Sequence, residues 1–182
     1  MEWLLFLPQL PASPSTLRVM VWRRMRDAGA LGLQNGVWIL HSSQADFLKE
    51  LALYLNDHGA DSYSLRTTAQ TPDIDEKILV RLRDERDEEY RELCEKCDDL
   101  LEELRAETEI EKFTFAELEE TEEEVQKLQV WLEKIQRRDV VGAPLAEQAR
   151  QDIQKCEYAL ADFAQQVYHR QGVHNPSDDG KN

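Results

Sequence analysis

No run of apolar residues approaches the ~20 that a membrane-spanning helix needs. The most apolar stretch, Trp3 to Leu7 followed by Pro8, is also too short for a signal-peptide core and has no basic residue ahead of it. Cysteine is scarce. Cys94, Cys97 and Cys156 are an odd number with two of them three apart, which is no disulfide framework. The histidines His41, His58, His169 and His174 are scattered, and none lies near a cysteine in sequence. These shortages predict a cytoplasmic chain without membrane segment, cofactor or catalytic constellation. At 182 residues it can nevertheless bury an adequate core without disulfides or metals.

What is abundant is negative charge. The formal net charge is −15, and it is unevenly spread. Residues 1–70 hold six Lys and Arg against six Asp and Glu, whereas residues 71–182 hold sixteen against thirty-one. An acidic segment repels nucleic acid and anionic membranes, so any phosphate contact has to come from the first seventy residues.

The acidic part reads as three helices. Leu79, Leu82, Arg86, Tyr90, Leu93, Cys97, Leu100 and Leu104 step by threes and fours, which places them on one helical stripe. Leu118, Thr121, Val125, Leu128, Leu132 and Ile135 form a second stripe with Trp131 alongside, and Ala146, Ala149, Ile153, Cys156, Leu160, Phe163 and Val167 form a third. The breaks fall at Lys112 to Phe115, with Thr114 placed to cap the second helix, and at Val141 to Pro144. Heptad-like spacing predicts an antiparallel three-helix coiled-coil bundle over residues 71–172, its first helix running from Asp75 to Glu107. The polar tail, 173–182, is expected to be disordered.

Residues 1–70 alternate differently. Trp3 to Leu7 reads as a strand. Ser15 or Thr16 caps a helix running to about Ala28, striped by Leu17, Val21, Trp22 and Met25 and stopped by Gly29. Asn35-Gly36 between two apolar runs is a hairpin signal. Gln44 to Asp57 reads as a second helix stopped near Gly59, and Asp61 to Thr68 as a last strand. Strand, helix, hairpin, helix, strand is a ferredoxin-like βαββαβ order, so the fold class expected for the chain is α+β.

The stretch Leu10 to Leu40 carries a resemblance. A proline-containing loop leads into Ser15-Thr16-Leu17-Arg18-Val19-Met20-Val21-Trp22-Arg23, followed by Gly29-Ala30 and by Gln34-Asn35-Gly36-Val37-Trp38. This text resembles the N-terminal domain of ChrB, the chromate-resistance regulator family. Leu82 to Tyr90, Trp131 to Asp139 and Gly142-Ala143-Pro144 are similar to its helical part. A fainter likeness over the first seventy residues is to the PaaX repressors and the ferredoxin-like nucleases of CRISPR spacer acquisition. Those nucleases place an aspartate just after the first strand, where this chain has Leu7-Pro8-Gln9-Leu10, so nuclease chemistry is not expected. The ChrB resemblance implies a cytoplasmic, DNA-associated regulator of a chromate-export operon, and a homodimer is expected because it would present two copies of the head to a two-fold site. Full-length members carry a further C-terminal chromate-resistance domain. The chain is therefore expected to be either a stand-alone version or one whose sensing half is missing. The acidic charge offers a rival expectation, a protein-interaction or structural module whose acidic helices bind a partner containing that domain.

Three groups are candidates for function. Arg18, Arg23, Arg24 and Arg26 on one helix suit phosphate contacts or guanine edges, set against a solvated face with some of the arginines paired to the acidic helices. Arg86 interrupts an apolar seam, as a buried ion pair with a carboxylate such as Glu122 or Asp162 or as an anion site. Cys94, Cys97 and Cys156 have spacing that can hold a metal or cycle redox, although cysteines on apolar seams more often act as small hydrophobes. The four tryptophans, Trp3, Trp22, Trp38 and Trp131, are expected as core anchors rather than base-stacking platforms. The acidic runs Glu102-Glu103 and Glu119 to Glu124 lack calcium-loop spacing and read as a solvated face.

Overall fold

A computed structural model describes residues 1–13 and 15–172. The tail, 173–182, for which disorder is expected, lies outside the described residues. Within them the chain is α+β: a four-stranded antiparallel sheet and five α-helices. The elements run β1 (Glu2–Gln9), α1 (Thr16–Asp27), β2 (Leu31–Gln34), β3 (Val37–His41), α2 (Ala45–Asp57), β4 (Asp61–Thr68), α3 (Pro72–Glu109), α4 (Phe115–Arg138) and α5 (Ala146–Arg170). The chain divides into two compact units. Unit 1 is residues 1–86 with 136–143, and unit 2 is the remainder. The division thus falls within α3 and α4, whereas the sequence boundary was set between residues 70 and 71.

In unit 1 the sheet order is β2-β3-β1-β4. The strand β1 is central and pairs Trp3 with His41 and Phe6 with Trp38 on one side, and Glu2 with Thr68 through Gln9 with Asp61 on the other. It runs past Pro8, where the sequence reading had ended it. Beyond Phe6 it pairs with β4 alone, so a proline that donates no hydrogen bond is tolerated there. One sheet face is covered by α1 and α2. Leu4, Phe6 and Leu40 pack there with Val21, Met25, Leu48, Leu51 and Leu55, all buried. On the other face Trp3, Leu31 and Ile39 pack with Leu82, and with the half-buried Ile78, Leu79 and Val141. The first turns of α3 therefore belong to this core. The helix starts at Pro72, three residues before the expected Asp75, because proline suits the first helical position and the Thr71 carbonyl accepts from Ile74 N–H at 3.1 Å.

The turns follow their glycines where backbone geometry demands it. Gly29 closes α1 with φ +71°, and Ala30 N–H returns to the Met25 carbonyl at 3.0 Å. Ser15 stands at the cap of α1, but its side chain makes no capping bond, unlike the expectation. Thr114 does cap α4, accepting from Glu117 N–H at 3.3 Å.

In unit 2 the seam residues are buried as their spacing implies: Tyr90, Leu93, Cys97, Leu100 and Leu104 on α3, and Leu118 through Leu132 and Ile135 on α4. On α5, Ala149, Ile153, Cys156, Phe163 and Val167 are buried. So is Asp152, which the spacing argument left out. Gln148 at 2.9 Å and Lys155 at 2.6 Å hold its carboxylate. Glu107 is buried as well, with Lys112 Nζ 3.5 Å away, and the same ammonium sits 2.7 Å from Glu117.

Burial, and then the Glu117 carboxyl beside it, push Glu107 up to about 7. The folded protein therefore keeps a proton that the unfolded chain releases near its ordinary pKa of ~4.3. Stability is expected to fall as the pH rises from ~5 through 7. Urea midpoints at pH 5 and 8 for the wild type and Glu107→Gln check this: the glutamine form should show the flatter dependence. Among the described residues no helix is long and apolar enough to cross a membrane.

Candidate nucleic-acid interface

The basic helix α1 is amphipathic. At 100° per residue, Val21 and Met25 turn into the sheet core, with Leu17 half-buried at its edge. Arg18, Arg23, Arg24 and Arg26 are all exposed. Arg18 Nη2 donates to the Ala12 carbonyl at 2.8 Å, which ties the helix start to the preceding loop. The Arg24 guanidinium lies 4.6 Å from the centre of the Tyr54 ring on α2. Arg26 stands 3.7 Å from the Glu85 carboxylate yet stays 43% exposed, and its guanidinium is 6.0 Å from the centre of the Trp22 ring. Arg23 makes no hydrogen bond, ion pair or ring contact with the described residues. Three guanidinium groups, of Arg18, Arg23 and Arg26, thus share a solvent face with Trp22 and Val19, which are 54% and 44% exposed.

Trp22 is a correction. The sequence reading made it a core anchor, but it sits beside Val21 in sequence and one residue further round the helix, which turns it out of the core. Trp3 is wholly buried, while Trp38 and Trp131 are half-buried.

Of the other candidates, Arg86 lies in unit 1 and the three cysteines lie in unit 2. Arg86 is buried in the α3 seam, and the Glu85 carboxylate lies 3.4 Å from it, so one carboxylate serves both Arg26 and Arg86. Glu122 and Asp162, the partners suggested by sequence, are exposed, and Asp162 accepts from Gln166 at 2.9 Å. Cys97 and Cys156 are fully buried, with the Cys156 thiol donating to the Cys97 carbonyl at 3.6 Å. A side-chain hydrogen bond with Cys156, then burial, pushes the Cys97 thiol up, and the same bond pulls the Cys156 thiol down. Burial, with Asp152 beside it, pushes the half-buried Cys94 up to about 12. Cys94 and Cys97, held protonated in this way, are poor nucleophiles and poor ligands. Among the described residues no group of three or more His, Cys, Asp or Glu is placed to hold a metal ion.

Charge follows the division into units. Unit 1 contains twelve Lys and Arg and twelve Asp and Glu, while unit 2 contains ten against twenty-five and so carries the whole −15. Within unit 1, α1 itself has four arginines and one aspartate.

Residues 18–174 match the family described as Protein ChrB, N-terminal. The chain belongs to this family. The match begins at Arg18 and therefore takes in all four arginines, Trp22, Arg86 and the three cysteines. The resemblance carried by Leu10 to Leu40 and by the helical segments is borne out. ChrB N-terminal membership fits a chromate-resistance-associated regulatory protein. No curated protein matches the chain.

Proposed function

We propose that this ChrB-type chain is a non-enzymatic transcriptional regulatory module linked to chromate resistance, which meets duplex DNA through the exposed face of α1. The observation that carries the reading is the set of solvent-facing guanidiniums of Arg18, Arg23 and Arg26 on one helix of a unit that is neutral overall. Such a face neutralises phosphates and, in a groove, suits guanine O6 and N7. The head is read as ferredoxin-like, a reading supported by the strand order β2-β3-β1-β4 and by the helix in each crossover. The helices of unit 2 are read as an antiparallel coiled-coil bundle, supported by their buried three-and-four seams. As a cytoplasmic homodimer the protein presents two α1 faces to a two-fold site.

Fluorescence anisotropy against the DNA upstream of the protein's own gene tests the reading. Binding at low salt is expected, and Arg18→Ala with Arg23→Ala should weaken it roughly tenfold or more and lower the salt slope by about 2. Absence of binding at low salt overturns it.

A second reading has its own observation, the excess of twenty-five acids over ten bases in unit 2. It makes that unit a docking surface for a protein partner bearing the C-terminal chromate-resistance domain. Capture of such a partner by a chain that binds no DNA favours it.

A further inference from the structure

Of the four tryptophans, Trp22 alone is exposed, and it stands between Arg18 and Arg26 at four-residue steps along α1. Residues so spaced are neighbours on a helix surface, about 5–6 Å apart at Cβ. Arg26 reaches over the indole, with 6.0 Å between guanidinium carbon and ring centre, and Val19 adds exposed apolar surface beside it. The indole is therefore held out of the core in a row of cations. A partner satisfying this row offers flat apolar groups between anions, which is the chemistry of nucleobases between phosphates. An acidic protein segment would satisfy the arginines and leave the indole without use.

We propose that Trp22 is a base-contacting residue, gripping an apolar nucleobase surface while Arg18 and Arg26 hold the flanking phosphates. This deepens the DNA-binding reading and rests on it. The base surface has two sources, a thymine methyl in the major groove of a duplex or the face of an unstacked base. A contact of this kind releases no counterion, so it adds affinity without adding to the salt slope.

The full chain is titrated by anisotropy, from ~50 to ~200 mM salt, with its upstream duplex, with the same duplex carrying uracil in place of thymine, and with the single strand. Circular dichroism confirms that the variants fold. Trp22→Ala should weaken binding roughly 10- to 100-fold with an unchanged slope, and Trp22→Phe should recover most of it, whereas Arg18→Ala lowers the slope by about 1. Uracil substitution that weakens the wild type but not Trp22→Ala identifies the thymine methyl. Tighter, Trp22-dependent binding to the single strand identifies an unstacked base. Wild-type affinity in Trp22→Ala beside a reduced slope in Arg18→Ala overturns the inference, keeps the DNA reading and leaves the indole to a protein partner. A Trp22→Ala loss with neither arm responding also overturns it, and a wild type that binds no DNA overturns both.

Discussion

Replacing Gly29 by alanine is expected to destabilise unit 1 by about 2–5 kcal/mol, a large share of a domain's usual stability. Two effects add. The residue sits at φ +71°, where a side chain costs about 1–2 kcal/mol. A Cβ there would also collide with the main-chain carbonyl of Arg138, the last residue of α4. Backbone cannot rotate aside as a side chain can, so relief requires displacing the segment, at about 1–3 kcal/mol for overpacking. Gly59 supplies the internal control. Its φ is +70° but nothing lies within 4 Å of its would-be Cβ, so Gly59→Ala should cost only the conformational part, about 1–2 kcal/mol. Denaturant midpoints of the two variants measured side by side check the difference. Equal losses would mean that Gly29 matters for its turn and not for the approach of α4.

Trp3→Ala should cost about 3–5 kcal/mol, the range for emptying a large buried aromatic site. Trp3 has no exposed surface, and it bridges β1 to the first turns of α3. Its indole Nε1 also donates to the Asp75 carboxylate at 2.6 Å, and that carboxylate takes the chain's terminal ammonium at 2.7 Å. Those two donors hold the Asp75 carboxyl below the usual range. Trp3→Phe separates packing from hydrogen bonding. It keeps most of the ring volume and should lose about 1.5–3 kcal/mol, the range for a bond to a charged group. Thermal or urea unfolding of the two variants reads both numbers. A phenylalanine form as weak as the alanine form would transfer the importance from the ring to the Asp75 contact.

Both residues were visible in the sequence, though not for these reasons. Gly29 was read as a helix stop, which needs only local rules. That the end of α4 lies against it is a long-range fact with no local trace. The seam of α4 was fully legible, since Leu118, Thr121, Val125, Leu128, Leu132 and Ile135 are the buried set that threes and fours select. Periodicity failed where polarity and burial part company. Asp152 is buried because Gln148 and Lys155 reach it along one helix, and a pattern of apolar residues cannot register a carboxylate that brings its own partners. Trp22 failed in the opposite sense. A large apolar residue next to Val21 was assigned to the stripe by its type, although the helical angle alone turns it outward. At the candidate interface, then, the arginines were legible from composition, and the aromatic between them was hidden by the ordinary expectation that tryptophan is buried.

The strand β4 closes the sheet on one edge, and Tyr63 and Leu65 stand exposed along it at 51% and 53%. Among the described residues no strand pairs with its outer N–H and C=O groups, which makes this edge a template on which another extended chain can add. The charges nearest to it, Asp61 at one end and Arg66 with its 2.7 Å partner Glu2 toward the other, then act as guards against sheet-to-sheet aggregation. Arg66→Ala is therefore expected to leave an aromatic and a leucine unguarded on this edge and to raise light scattering at high protein concentration above that of the wild type.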